Sequence, residues 1–202
     1  MNAQSRKLIT GGLSKPSKMP GYAYNLPATE CNVGAKLVQV PGSVCHGCYA
    51  LKGRYRFPNV KEAMHRRLKS IDGPLWVETM AADINARKSK YFRWHDSGDI
   101  QSLEHLKKIF DVCKLTPDVA HWIPTRESGI LSKLGPEEVP ANLTIRLSAT
   151  MVDGNAPKNS WHLTSTVVTE GASCPAPKQG NECKSCRNCW DQSIKNIAYG
   201  KH

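Results

Sequence analysis

Apolar residues recur three and four positions apart along "NVKEAMHRRLKSI", at Val60, Ala63, Met64, Leu68 and Ile71. That spacing predicts an amphipathic helix with Asn59 as its cap. The stretch "PLWVETMAADINARK" repeats the pattern behind a proline suited to a first helical turn, so a second helix is expected. The texture then changes. "YFRWH", "VAHWIPT", "LTIRLSA" and "STVVT" read as strands, with a helix "SLEHLKKIFDVCKL" capped by Ser102 and a short helix "ESGILSKL" between them. Strands alternating with helices imply βαβ units and a parallel α/β sheet. Right-handed crossovers make such a sheet doubly wound or curl it into a full or partial (β/α) barrel.

Two stretches fall outside this alternation. Residues 1–20 carry Arg6, Lys7, Lys15 and Lys18, no acid, and the breakers Gly11, Gly12, Pro16 and Pro20. They are expected to form a basic, flexible arm ahead of a single α/β domain over 21–202. A short extended stretch, "YAYNLPA", leads into Cys31, and the glycine-punctuated run from Cys31 to Cys48 reads as loop. The closing "GASCPAPKQGNECKSCRNCWDQSIKNIAYGKH" is poor in apolar residues and is expected to be irregular. Hydrophobic burial alone does not order such a segment.

Composition narrows the class. A chain of 202 residues buries about 70% of its extended surface, enough for one sizeable core. No apolar run approaches the ~20 residues of a membrane helix, and the N-terminus lacks the apolar centre of a secretory signal, so a cytoplasmic protein is expected. In a reducing compartment, eight cysteines point to metal or catalysis rather than to a disulfide framework. The formal charge of +11 suggests a nucleic-acid partner. Ligated thiolates would reduce that charge to about +7 or +8, since a cubane cluster with its ligands carries roughly two negative charges.

The cysteines fall into two groups. Cys174, Cys183, Cys186 and Cys189 are spaced C-x8-C-x2-C-x2-C, and a two-residue spacer lets neighbouring thiolates converge on one centre. Zinc accepts four thiolates as a tetrahedron; the tandem spacing leans towards a 4Fe-4S cluster. Cys31, Cys45 and Cys48 offer three thiolates and lack a fourth ligand, which leaves an iron open or calls on a residue from elsewhere. A redox C-x2-C is the alternative for Cys45 and Cys48. Cys113, mid-helix beside Leu106 and Ile109, reads as core.

A third constellation is "RWHDSGD". His95, Asp96, Ser97 and Asp99 lie in the turn after a strand, where parallel sheets place their sites. His95 is a candidate proton carrier, Asp96 and Asp99 candidate acceptors for a ligand hydroxyl or amine. Turn-making and helix capping are the alternative for Asp99 and Ser102. Two further strand ends add Arg126, a candidate anion clamp, and Ser148, which with Ser97 supplies hydroxyls for binding a cofactor.

"LPATEC", "CHGCYALKG", "RWHDSGD", "IRLSATMVDG", "CPAPKQGNECKSCRNCWD" and "NIAYGKH" together resemble the phage "gene product eighty-eight" domain family of iron-sulfur proteins. The resemblance runs from about residue 20 to the C-terminus and implies a viral protein acting in the bacterial host cytoplasm. That family is in turn distantly similar to radical S-adenosylmethionine enzymes, which implies a partial barrel with an irregular cysteine-rich C-terminal segment. By the same resemblance Cys31, Cys45 and Cys48 are cluster ligands, Tyr49 shields the cluster, and the HDSGD turn lies where such enzymes bind S-adenosylmethionine. The first cysteine gap departs from the C-x3-C-x2-C of those enzymes, being thirteen residues long. Two functions follow: a cluster-dependent reaction on an unknown substrate, or a non-catalytic iron-sulfur or zinc protein that binds nucleic acid or a host protein.

Overall fold

The computed structural model describes residues 1–158 and 161–201. Strands β1 (Tyr22–Tyr24), β2 (Tyr91–Trp94), β3 (Ala120–Thr125), β4 (Leu143–Val152), β5 (Leu163–Val168) and β6 (Asn196–Gly200) form one sheet. Every pairing is parallel, and the order β1-β2-β3-β4-β5-β6 follows the chain. A doubly wound sheet reverses its order at a switch point, and this one never does. The sheet is open, with β1 and β6 at its edges. Ser14 covers part of the β1 edge by exchanging backbone hydrogen bonds with Ala23 at 2.8 and 2.9 Å.

Strand side chains alternate between faces, and here the two faces have different company. Phe92, Trp94, Ile123, Leu143, Ile145 and Leu147 pack with α4 (Trp76–Ala86), α5 (Leu103–Lys114) and α6 (Ser128–Leu131) in the main core. α3 (Pro58–Ser70) adds Leu68 to the same core. Fully buried Trp76, Trp94 and Tyr24 lie at its centre, with ring centroids 5.6 to 6.2 Å apart. Trp76 donates to the Tyr24 hydroxyl at 3.1 Å, so both polar handles are satisfied where the rings are buried. On the other face Tyr91, Trp122, Ile197 and Tyr199 meet Met19, Cys174, Cys189, Trp190 and Ile194. The cysteine-rich segment thus occupies the face the helices leave free.

Several expected boundaries move. The supposed flexible arm contains α1 (Ala3–Thr10), capped by the Asn2 side chain, which accepts the Ser5 N–H at 2.9 Å. Arg6 pairs with Asp83 of α4 at 3.1 Å, and Arg67 of α3 donates to the Gly12 carbonyl at 2.6 Å. Gly11 closes α1 at φ 79°, where a Cβ would stand 2.7 Å from the Arg67 backbone. α3 starts at Pro58, so Asn59 lies inside its first turn rather than capping it. α4 starts at Trp76, past the expected proline. A six-residue helix, α2 (Asn32–Leu37), occupies part of the expected loop. The C-terminal segment is irregular only as far as residue 195, since β6 then pairs along β5 with Ser165 opposite Ile197.

Candidate functional site

The first thiol group follows β1 and lies at the carboxyl ends of the central strands. Its loop is tied to β4: the Val44 N–H donates to the Thr150 carbonyl at 2.9 Å, and Ser43 bridges Met151. Cys31 precedes α2, and Gly34 in that helix leaves room under the thiols. A Cβ there would lie 3.5 Å from Cys31 Sγ and 3.6 Å from Cys45 Sγ, so both sulfurs converge on the space a side chain would fill. Burial pushes the Cys31 thiol up, helped by Asp99, Cys45 and Cys48. Burial also raises Cys45, against the nearby Arg126 guanidinium. Burial outweighs the guanidinium, so both thiols favour the protonated form.

The polar strand ends have separate fates. Asp99 is 5% exposed and fully engaged: Oδ1 accepts from Thr125 Oγ1 at 2.7 Å and the Ile100 N–H at 2.8 Å, and Oδ2 from the Arg126 N–H at 2.9 Å. Burial still holds its carboxyl up to about 6. It clasps the β2 and β3 ends together beside Cys31. Ser97 is spent on the turn, its hydroxyl donating to the Leu26 carbonyl at 2.9 Å. His95, with φ 56°, points into the helix-side core, 5.5 Å from the His105 ring, and burial lowers it to about 3. Burial keeps it neutral there. Asp96 is half-buried, and its carbonyl accepts the Tyr49 hydroxyl. Ser148 lies on the opposite face from the helices, 2.9 Å from Ser165 Oγ. The structure therefore brings Asp99 and Arg126 to the three thiols, and turns His95 and Ser148 elsewhere.

Glu127 belongs with this group although its sequence position does not announce it. It is 4% exposed, its Oε1 accepts the Val33 N–H at 3.0 Å, and it lies beside Cys31. It fixes the start of α2 under the thiols.

The second group sits on the helix-free face. Cys174, Cys183, Cys186 and Cys189 line a cavity of about 20 Å³ with Pro175, Asn188, Trp190 and Ile197. Three of the four are held by backbone: Cys174 N–H to the Ala198 carbonyl at 3.0 Å, Cys183 N–H to the Lys18 carbonyl at 2.9 Å, and Cys186 N–H to the Cys183 carbonyl at 2.8 Å in a tight turn. Cys189 Sγ is 3.2 Å from the Tyr199 hydroxyl, and burial pushes its thiol up to about 11. Arg146 of β4, wholly buried, anchors the segment. Its guanidinium donates to the carbonyls of Asp191 at 2.7 Å, Ile194 at 2.8 Å, Asn188 at 3.1 Å and Cys189 at 3.2 Å. Trp190 adds a bond from Nε1 to the Phe92 carbonyl at 3.0 Å. Order here comes from a buried arginine and an indole, interactions that apolar composition does not disclose.

All eight cysteines are free, and Cys113 is fully buried in the helix-side core. Among the described residues no group of three or more His, Cys, Asp or Glu is already placed to hold a metal ion. The thiols gather without closing on one centre. No helix of the described residues is long and apolar enough to cross a membrane.

The family model described as Gene product 88 matches residues 1–192 of this chain. No curated protein and no solved structure matches it.

Proposed function

The chain belongs to the phage Gene product 88 family, and we propose that it is an iron-sulfur protein with two 4Fe-4S sites, one on Cys31, Cys45 and Cys48 and one on Cys174, Cys183, Cys186 and Cys189. The observation that carries this reading is the gathering of seven of eight cysteines into two all-sulfur groups, each held by backbone hydrogen bonds around a space left free of other side chains. Thiolate-only donor sets suit iron-sulfur clusters and zinc. Zinc requires four sulfurs about 2.3 Å from one ion, and these sulfurs are not placed for a single ion. A cluster of several irons spreads its ligands further.

The two groups have different chemistry. The four-thiol group is coordinatively complete and suits folding or electron storage. The three-thiol group leaves a metal position open at the carboxyl ends of an open parallel sheet, where such sheets carry their active sites. Asp99, Arg126 and Glu127 surround it. This supports a partial-barrel, radical S-adenosylmethionine-like reading in which the open position receives a co-substrate. Its test is incubation of the dithionite-reduced protein with S-adenosylmethionine: 5'-deoxyadenosine is the expected product, and its absence after overnight reaction counts against this activity.

A non-catalytic reading, with nucleic acid as partner, is favoured by a separate observation. Lys52, Arg54, Arg56 and Lys61 are exposed along one short stretch that also presents Phe57, 55% exposed. Cations interleaved with an aromatic ring suit a single-stranded backbone and a stacked base. Binding of single-stranded oligonucleotides that weakens in Lys52→Ala/Arg54→Ala supports it, and binding unchanged in that variant removes it.

A further inference from the structure

The helix-free face carries a half-buried arginine that makes no ion pair among the described residues. Arg93 projects from β2 beside its register partner Trp122, with its guanidinium carbon 4.5 Å from an indole ring centre. Nη1 donates to Met19 Sδ at 3.4 Å, and Nε has no hydrogen-bond partner among the described residues. None of the ion pairs among those residues includes it. Tyr49 and then Asp96 act on it most strongly, Tyr49 through its hydroxyl and Asp96 from the turn beyond the strand without an ion pair.

The four-thiol group lies on the same face of the sheet as this cation. Lys18 accepts the Cys183 N–H at 2.9 Å while the adjacent Met19 holds Arg93, so one short stretch joins the thiol loop to the guanidinium. Tyr199, bonded to Cys189 Sγ at 3.2 Å, and Trp190 both pack against Trp122. Cys183 and Cys189 are accordingly among the groups that Arg93 acts on. Arg187 brings a second guanidinium, on the Lys184 and Cys186 carbonyls at 2.6 and 2.7 Å. Four neutral thiols add no negative charge beside these half-buried guanidinium groups, of which Arg93 faces Asp96. Four thiolates on a cluster with net negative charge compensate them.

We propose that Arg93 is the counter-ion of the four-cysteine cluster, a positioning residue that holds the thiolates and raises the cluster's reduction potential. This rests on the iron-sulfur reading above. One electron added to the cluster makes its charge more negative by one, and a fixed cation alongside stabilises that reduced state.

The test compares native protein, Arg93→Gln and Arg93→Lys, all purified anaerobically, by iron and sulfide analysis and by redox titration with dithionite. The relevant wave is the one that Cys186→Ser abolishes. Arg93→Gln is expected to keep its iron and sulfide and to shift that wave's equilibrium about tenfold against reduction, which is about 59 mV for one electron. Arg93→Lys is expected to stay near the native potential. Equal potentials in all three proteins overturn the proposal. Should Arg93→Gln fail to load, full loading in Arg93→Lys upholds the need for charge, and equal failure of both assigns Arg93 to packing and overturns it. Native protein without iron and sulfide defeats the cluster reading itself, an outcome read from metal analysis before any potential is measured.

Discussion

Replacing Arg146 with methionine tests what holds the cysteine-rich segment to the sheet when no metal is considered. The substitution keeps most of the side-chain length and removes the guanidinium. Of its carbonyl partners, Asn188 keeps the Asp191 N–H at 3.2 Å, while Cys189, Asp191 and Ile194 lose the donor that Arg146 supplied. Hydrogen bonds to a charged donor contribute about 1.5–3 kcal/mol each, and partial rehydration of the exposed Asp191 carbonyl offsets some of the loss. Relief of the buried charge offsets more. The net destabilisation is about 3–5 kcal/mol, or a melting point lowered by about 10–15 °C for a chain of this size. Arg146→Lys retains the charge with a single donor head and should fall between the two. Thermal unfolding by circular dichroism reads the loss, and limited proteolysis shows cleavage appearing first within 174–195. A variant within about 1 kcal/mol of the native protein, with the segment still protected, would show that Arg146 does not anchor it.

Cys186→Ser should lower iron and sulfide by about half and expose the C-terminal segment to protease, since binding energy of such a site is folding energy; unchanged metal content contradicts this. Gly98 has φ 80°, and a Cβ there would lie 2.5 Å from Leu26 Cβ and 2.8 Å from its carbonyl oxygen. Gly98→Ala should therefore cost about 2–4 kcal/mol, read by urea denaturation. His121 is wholly buried, 2.8 Å from Thr116 Oγ1, and burial lowers it to about 3. Its neutral form stabilises the fold fully above about pH 6.5, and that contribution is lost as pH falls towards 3, because the unfolded chain takes up the proton first. His121→Gln should flatten the pH dependence of stability by roughly 1.4 kcal/mol per pH unit between pH 6 and 4. Parallel urea midpoints for the two proteins across that range would contradict the assignment.

The strands of the helical half were legible because alternation and β-branched residues mark β2 to β5, and Ser102 caps α5 as its position suggests, accepting the His105 N–H at 3.1 Å. α1 and β6 were not legible. "AQSRKLIT" has little apolar pattern, and its anchors Asp83 and Arg67 are far along the chain. "NIAYG" buries only Ile197, so its pairing with β5 supplies what its composition lacks. The two thiol groups could be grouped from spacing, but not assigned to the strand ends and the helix-free face. Within the HDSGD turn, the directions of His95 and Ser97 were not legible, for a local reason. Left-handed conformations at His95 and Gly98 swing the imidazole into the core and spend Ser97 on Leu26. Arg93 and Arg146 are indistinguishable in sequence from the other basic residues until the strand register points them at the cysteine-rich segment.

The iron-sulfur proposal makes the two thiol groups cluster ligands. Quantifying iron, acid-labile sulfide and zinc in protein purified without oxygen tests it most directly. Iron and sulfide are expected in equal amounts, about eight of each per chain for two cubane clusters, with little zinc. Zinc without acid-labile sulfide, or a folded protein free of both metals, would contradict it.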